Sequence, residues 1–443
     1  MTTSQSVRDS TGLSRRGFIA AGAGALAATL PAARAAPAPE GPAKLASPVR
    51  LGVIGTGGRG TYLMTVALGL EDVEVTALCD INAANLARAV ETARAARGTK
   101  PAAVTGGPFA YRDLLKRDDV DAVIVTTPMQ LHAPMSVDAM RAGKHVLSEV
   151  AAAMTLDECW ALVAAAEETG RTYMLAENCC YWKPILTIAQ MLRAGLFGDC
   201  TFAECGYVHD CRSIQFAADG SLTWRGEMNR DARGNLYPTH SLGPVAQWLG
   251  INRGDRLAEL VAMDTKQASL EFYARRRFGA DHAAAATKFA VGDSTTTLIR
   301  TARGACIDLR YDTCSARPHP STTYYALQGV TASYDSRLDG IWIDGRSKEY
   351  AWERFGAYAG EFEPPLWKTW GEAARTAGHE GGDFFVIREF IDALLEGRPA
   401  PIDAADAAAW SSIIPLSAAS LRARNAPQEI PDFTRGRWET RSA

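Results

Sequence analysis

The 443-residue sequence predicts a doubly wound parallel α/β domain followed by an α+β domain built on an open, mainly antiparallel sheet. Three observations carry this. Short apolar runs alternate with helical patterns from Val49 to about Cys180, as in consecutive βαβ units. A glycine-rich turn, Gly55-Thr56-Gly57-Gly58-Arg59-Gly60, joins the first apolar run to the first helical stretch. Beyond Cys180 the runs lengthen, alternate polar with apolar and are joined by turns, which is how antiparallel strands read.

The elements follow in order. Ser14-Arg15-Arg16-Gly17-Phe18-Ile19 places twin arginines ahead of a mildly apolar Ala/Gly stretch, Phe18–Leu30, too short to span a bilayer. Ala33-Arg34-Ala35 offers the small residues a signal peptidase reads. Residues 1–35 are therefore read as a twin-arginine signal cleaved after Ala35, with the twin-arginine translocase as partner and a periplasmic or secreted mature protein. A disordered tail with a chance Arg-Arg is the other reading. Residues 36–48 form a Pro/Ala linker, 49–180 the first domain and 181–443 the second, its late helices packing back on the first. Val49–Ile54 is a strand, "VEVTALCD" a second ending at Asp80, and "INAANLARAVETARAA" a helix capped by Asn82. "DAVIVTTP" and "KHVLSEV" are strands around the helix "HAPMSVDAMRAG"; "TLDECWALVAAAEETG" is a helix capped by Thr155, and "TYMLAENC" a strand. "DCTFAECGYVHD", "DSTTTLIRTARGACIDLRYD", "TTYYALQGVTASYD" and "DGIWIDG" supply the antiparallel sheet. "GGDFFVIREFIDALLEG" and "DAADAAAWSSIIPLSAASLRA" are helices.

Composition excludes several classes. A net charge of −3 leaves no polybasic footprint for nucleic acid. The densest basic run, "YARRRF" (Tyr273–Phe278), reads as a solvated face, with anion contact as the alternative. The nine cysteines are odd in number, and their spacing suggests no zinc site, so no metal is expected. Folding before export means folding in a reducing compartment, so they read as buried apolar residues rather than disulfides.

Gly55, Gly57 and Gly60 fit G-x-G-x-x-G after a strand and before a helix, and with Gly58 and Arg59 they form a seat for pyrophosphate at a helix N-terminus. Asp80, twenty residues past Gly60, is placed to bind a ribose 2′-hydroxyl and repel a 2′-phosphate, which favours NAD over NADP; a plain strand-end turn residue is the alternative. His132, in "TTPMQLHAPM", faces the cofactor side of the sheet or serves as a cap or core histidine. Glu149 ends a strand at the edge where open α/β sheets collect ligands. Tyr237 and His240 read either as site residues or as strand-to-helix packing, and Trp224 and Arg225 as site or as a surface cation–π pair.

Together the glycine turn, Asp80, T-P-x-x-x-H and the strand ending in Glu149 resemble the glucose-fructose oxidoreductase/inositol dehydrogenase superfamily. In its ordinary dehydrogenases Lys-Pro follows this Glu; here Val150-Ala151 follow. "AENCCYWKP", "GYVHDCR", "WRGE" and "RGNLYPTHSLGPVAQWLGINRGDR" resemble glycoside hydrolase family 109, NAD-dependent α-N-acetylgalactosaminidases. The resemblance implies that Met129, Gln130, Leu131, His132, Glu149, Val150 and Asn178 surround tightly bound NAD with Asp80 and the glycine turn. It implies that Tyr207, Arg225, Tyr237, Pro238, Thr239 and His240 line the sugar site. His319 stands where similar proteins carry a tyrosine against the substrate.

The activity so implied is hydrolysis of terminal α-N-acetylgalactosaminides by oxidation at carbon 3, elimination, water addition and re-reduction, with no net change in NAD. On this reading His240 takes the carbon 3 hydroxyl proton and Tyr181 the carbon 2 proton. Arg225 and Tyr237 orient the sugar and steady developing charge, and Glu149 positions sugar and nicotinamide. An exported sugar oxidoreductase using tightly held NAD(P) is the alternative, and a non-catalytic sugar-binding protein a third. The open sheet is expected, by analogy, as a homodimer face.

Overall fold

The structure, a computed structural model, describes residues 44–318 and 323–441. The expected export signal, residues 36–43 of the linker and His319 lie outside the described residues.

Six strands form the first sheet: β1 (Val49–Ile54), β2 (Val73–Cys79), β3 (Ala102–Val104), β4 (Ala122–Val125), β5 (His145–Ser148) and β6 (Tyr173–Leu175). Their order is β3-β2-β1-β4-β5-β6 and every pairing is parallel. β4 and β5 are buried throughout because helices cover both faces; β4 is accordingly an unbroken apolar run, while β5 buries His145 and Ser148 at its ends. The edge strand β3 was not foreseen: three residues of Ala-Ala-Val carry too little pattern to distinguish them from loop. Two helix starts form as the sequence predicts. Asn82 accepts hydrogen bonds from the amides of Ala84 and Asn85. Thr155 and Glu158 close a reciprocal capping box.

The second sheet has nine strands: β7 (Cys200–Val208), β8 (Leu257–Asp264), β9 (Thr295–Thr301), β10 (Cys306–Asp312), β11 (Tyr324–Gly329), β12 (Ala332–Asp335), β13 (Gly340–Ile343), β14 (Glu353–Arg354) and β15 (Gln428–Glu429). The order is β14-β13-β12-β11-β7-β10-β9-β8-β15. Only β7 and β10 pair in parallel, with Tyr207 opposite Tyr311. The other pairings are antiparallel.

Late segments fasten to the first sheet. Arg388, on helix Gly382–Glu396, holds Asp72 through two bonds of 3.0 and 2.7 Å. The amide of Leu175 donates to the Ile402 carbonyl at 3.0 Å, and that of Ala152 to Ser411 Oγ at 3.0 Å. The stretch read as one helix from "DAADAAAWSS" onward is two, Ala404–Ser411 and Ile413–Arg422. Pro415 has no N–H to donate to the carbonyl of Ser411, so the first helix ends there and a new one begins. Among the described residues no helix is long and apolar enough to cross a membrane.

Candidate active site

In a parallel sheet all strands end on the same edge, so β1, β2, β4, β5 and β6 deliver Gly55, Asp80, Thr126, Glu149 and Glu177 to one rim. The strand order reverses between β1 and β4, β2 and β3 adding on one side and β5 and β6 on the other, which opens a crevice there. Gly55 turns with φ +93°. A Cβ on Gly60 would stand 1.9 Å from the Gly55 carbonyl oxygen and 2.5 Å from Thr126 Oγ1, so only glycine lets helix Gly58–Leu68 approach β1 this closely. At Gly57 and Gly58 a Cβ would meet nothing within 4 Å. The helix begins with no side-chain cap and no acidic residue in its first turn. Its free amides and open approach fit a pyrophosphate.

Asp80 is fastened by the Thr56 and Asn82 amides, each at 2.7 Å, and by Thr56 Oγ1 at 3.1 Å. It is thus a turn-holding residue whose carboxylate retains lone pairs for a ribose hydroxyl. Gln130 and Leu131, in the turn after β4, are exposed, while Met129 is buried. His132 departs from expectation. Its imidazole is enclosed, with Nδ1 2.8 Å from the Ala151 carbonyl and Nε2 2.7 Å from that of Thr127. It therefore acts as a strut tying the post-β4 loop to the post-β5 turn, and its side chain does not face the crevice.

Glu149 accepts from Arg59 Nε at 2.7 Å and from the Val150 amide at 3.2 Å. Arg59 then forks onto Asp383 at 2.9 and 2.7 Å, and Asn178 Nδ2 reaches the same carboxylate at 2.8 Å. His379 Nδ1 lies 2.7 Å from Asp383 Oδ2. Burial opposes ionisation of Asp383, but hydrogen bonds from His379 and Arg59 and their charges outweigh it and hold the carboxyl well below its usual range. Asp383 carried no signal in the sequence beyond opening a helix; of its partners His379 is four residues away, but Arg59 and Asn178 come from distant segments.

The second half contributes the aromatic wall. Tyr207 ends β7, and Tyr237 and Pro238 lead into helix Thr239–Trp248. Ring centroids of Tyr207 and Tyr237 lie 5.2 Å apart, Tyr207 and His240 5.3 Å, and Tyr237 and His240 5.0 Å. Pro238 and Thr239 are buried and set the helix start rather than opening onto the crevice. Arg225 lies over Trp224 at 4.1 Å and has no carboxylate partner among the described residues, so its charge is not already neutralised.

His240 Nδ1 sits 2.7 Å from Glu177 Oε1, and the Tyr325 hydroxyl donates to the His240 carbonyl at 2.5 Å. Glu177 is fully buried; its other oxygen has no hydrogen-bond partner among the described residues, and Oε1 also accepts from the Cys179 amide at 3.1 Å. Burial pulls the imidazole pKa down, but the charge and hydrogen bond of Glu177, with Glu149 beyond, more than offset this and raise it. Glu177 was missed in the sequence, although it lies two residues past β6 much as Glu149 follows β5, and the same strand-end rule would have found it. Glu177, Cys179 and His240 offer oxygen, sulfur and nitrogen atoms within 4.8 Å of one another. Burial pushes the Cys179 thiol well up, which disfavours the thiolate a metal would need.

Tyr181 is a correction. Its hydroxyl is buried without a hydrogen-bond partner among the described residues, and its ring stacks on Phe385 at 6.3 Å. Burial, then the charge of Glu389, push its pKa well up, the opposite of what a base requires. Its ring joins Phe385 in the core, while its backbone carbonyl accepts from Trp367 Nε1 at 2.8 Å.

Both halves of the chain resemble known proteins. Residues 49–177 match the oxidoreductase family, NAD-binding Rossmann fold, and residues 181–440 match the glycosyl hydrolase 109 C-terminal domain. A glycosyl hydrolase family 109 protein of Solibacter usitatus is 43% identical over 89% of this chain and 90% of its own. An alpha-N-acetylgalactosaminidase of Shewanella oneidensis is 38% identical, covering 88% and 86%. Among solved structures, levoglucosan dehydrogenase in complex with NADH and L-sorbose shares the fold at 19% identity, with a TM-score of 0.66 over 87% of this chain and 100% of that one. Aldose-aldose oxidoreductase from Caulobacter crescentus does so at 17% identity and 0.62, over 86% and 99%. This degree of likeness along both halves makes the chain a member of glycosyl hydrolase family 109, an NAD-dependent glycoside hydrolase.

Proposed function

We infer that the protein hydrolyses terminal α-N-acetylgalactosaminides with NAD that stays bound and is regenerated in each turnover. The observation that carries this is the Tyr207–Tyr237–His240 wall backed by Glu177, beside the Glu149–Arg59 pair at the rim of the glycine crevice. Bound NAD supplies a hydride acceptor for sugar carbon 3 and returns the hydride at the end. The residues supply the rest. His240, oriented through Nδ1 by Glu177, takes the carbon 3 hydroxyl proton at Nε2 and restores it later. A ketone at carbon 3 acidifies the proton on carbon 2, so a carboxylate suffices there. With Tyr181 in the core, Glu149 is the candidate that remains at the wall. Loss of that proton expels the group on carbon 1, which leaves with a proton; water then adds across the double bond, its hydroxyl to carbon 1 and a solvent-derived proton to carbon 2. Arg225 and the Tyr237 hydroxyl stabilise the developing enolate oxygen.

The test is a panel of α- and β-aryl glycosides with no NAD added. Release from the α-N-acetylgalactosaminide in deuterated water, with deuterium at carbon 2 of the free sugar, is expected. Release without deuterium overturns the elimination route. A second, reduced sugar product identifies an oxidoreductase instead. Arg15-Arg16 and Ala33-Arg34-Ala35 support twin-arginine export to the periplasm or medium, which suits a cofactor that needs no outside pool. Burial alternates along β9, with Leu298 exposed, which leaves one face of the second sheet open there and supports a homodimer, to be read by sedimentation.

A further inference from the structure

The arginine run singled out in the sequence falls on helix Ser269–Phe278, and the fold turns part of it into a groove. Phe272, Tyr273, Arg276 and Arg277 follow i, i+4 spacing along one side of that helix. With Arg212 they line a groove of about 390 Å³. Arg212 is held in place: its guanidinium forks onto Asp210 at 2.9 and 2.7 Å and lies 5.2 Å over the Tyr273 ring. The neighbouring carboxylates are spoken for, Asp210 by Arg212 and Glu271 by Lys288 at 2.9 Å. Arg276 and Arg277 have no carboxylate within ion-pair distance among the described residues. Phe272 is 61% exposed, a large apolar ring left open beside unneutralised charge.

The groove and the candidate sugar site are backed by the same apolar packing. One apolar cluster packs Phe216 and Tyr273 at the groove together with Tyr207, Tyr237 and Trp224 at the sugar wall. Phe216 stacks on Tyr273 at 6.0 Å. The turn Arg212–Gln215 is bonded to the helix bearing Arg225 through Gln215 Oε1 and Asn229 Nδ2 at 2.7 Å. A solvated helix face needs neither the aromatic lining nor this attachment.

We propose that this groove binds the acidic continuation of the substrate, a carboxylate- or sulfate-bearing sugar attached to the residue being released. The proposal rests on the glycosidase reading above. Aromatic rings offer a face to the pyranose, and the guanidiniums meet its anionic group.

The test compares three disaccharides carrying the same terminal α-N-acetylgalactosamine, joined to a neutral sugar, a uronic acid or a sulfated sugar. At low ionic strength kcat/KM for an acidic disaccharide is expected to exceed that for the neutral one about tenfold, as two rim charge pairs supply, and to shrink in high salt. In R276Q/R277Q the acidic-to-neutral ratio falls toward one, and cleavage of the neutral disaccharide reports that the variant is folded. Uronate and sulfate arms tell the two anions apart. Equal rates for all three substrates, or an unchanged ratio in R276Q/R277Q, overturns the proposal. Calorimetry with the acidic disaccharides reads the groove without turnover. Salt-sensitive binding lost in R276Q/R277Q sustains it even if no glycoside is cleaved, in which case the glycosidase reading alone falls.

Discussion

Glu177 and His240 form a pair whose sign can be worked out. The imidazole pKa is raised, so the ion pair adds stability fully present below the ordinary histidine value of about 6.5 and lost as pH rises through the raised one. A proton acceptor must be neutral, so the acid limb of kcat/KM is expected above about pH 6.5. Glu177→Gln keeps the shape and removes the charge. It should move that limb to lower pH and reduce kcat/KM about tenfold or more; an unmoved limb would show that Glu177 does not tune His240. Tyr181→Phe is expected to do the reverse of a catalytic substitution. It deletes a buried hydroxyl that has no partner, so turnover stays within about twofold and unfolding free energy is unchanged or rises by about 1 kcal/mol. A large loss of kcat in Tyr181→Phe would restore the tyrosine to the mechanism.

At the scale of elements, the crevice depends on how closely helix Gly58–Leu68 meets β1. Gly60→Ala forces a carbon to 1.9 Å from the Gly55 oxygen, and that oxygen is backbone and cannot swing aside. The helix must shift by enough to spoil its N-terminus as a phosphate seat. We expect a loss of about 1–3 kcal/mol and protein that emerges from purification with little nucleotide, read by absorbance after denaturation. Nucleotide content equal to wild type would count against the seat. The same helix carries Arg59 toward Glu149 and Asp383, so a strand end and a late helix share one cation. Caps and turns on this first sheet were legible because each is a local contest between neighbouring residues, as at Asn82 and Thr155. β3 was not, because its place is set by β2 alongside it.

For the whole molecule, acid is the expected weakness. His145 on β5 is fully enclosed, and its Nδ1 accepts from the Thr172 amide at 3.0 Å. Burial, then the charge of Arg171, lower its pKa to about 4. A lowered histidine keeps its stability above the unfolded value near 6.5 and loses it as pH falls toward the folded one. About 2–3 kcal/mol should disappear between pH 7 and 4.5, read by urea unfolding. His145→Gln should flatten that dependence; an equally steep loss would place the acid sensitivity elsewhere. The sequence by itself determined the alternation that makes the parallel sheet, the glycine seat with Asp80, the change to antiparallel strands, and Tyr207, Tyr237 and His240 as a group through family likeness. These depend on periodicity, local backbone sterics and motif, all of which are written along the chain. Only the tertiary structure decided that Glu177 orients His240, that Asp383 and Asn178 converge on Arg59, that His132 is a strut and that Tyr181 faces the core. Each of these is settled by which distant surfaces exclude water together, and burial of that kind leaves no mark on the neighbouring sequence.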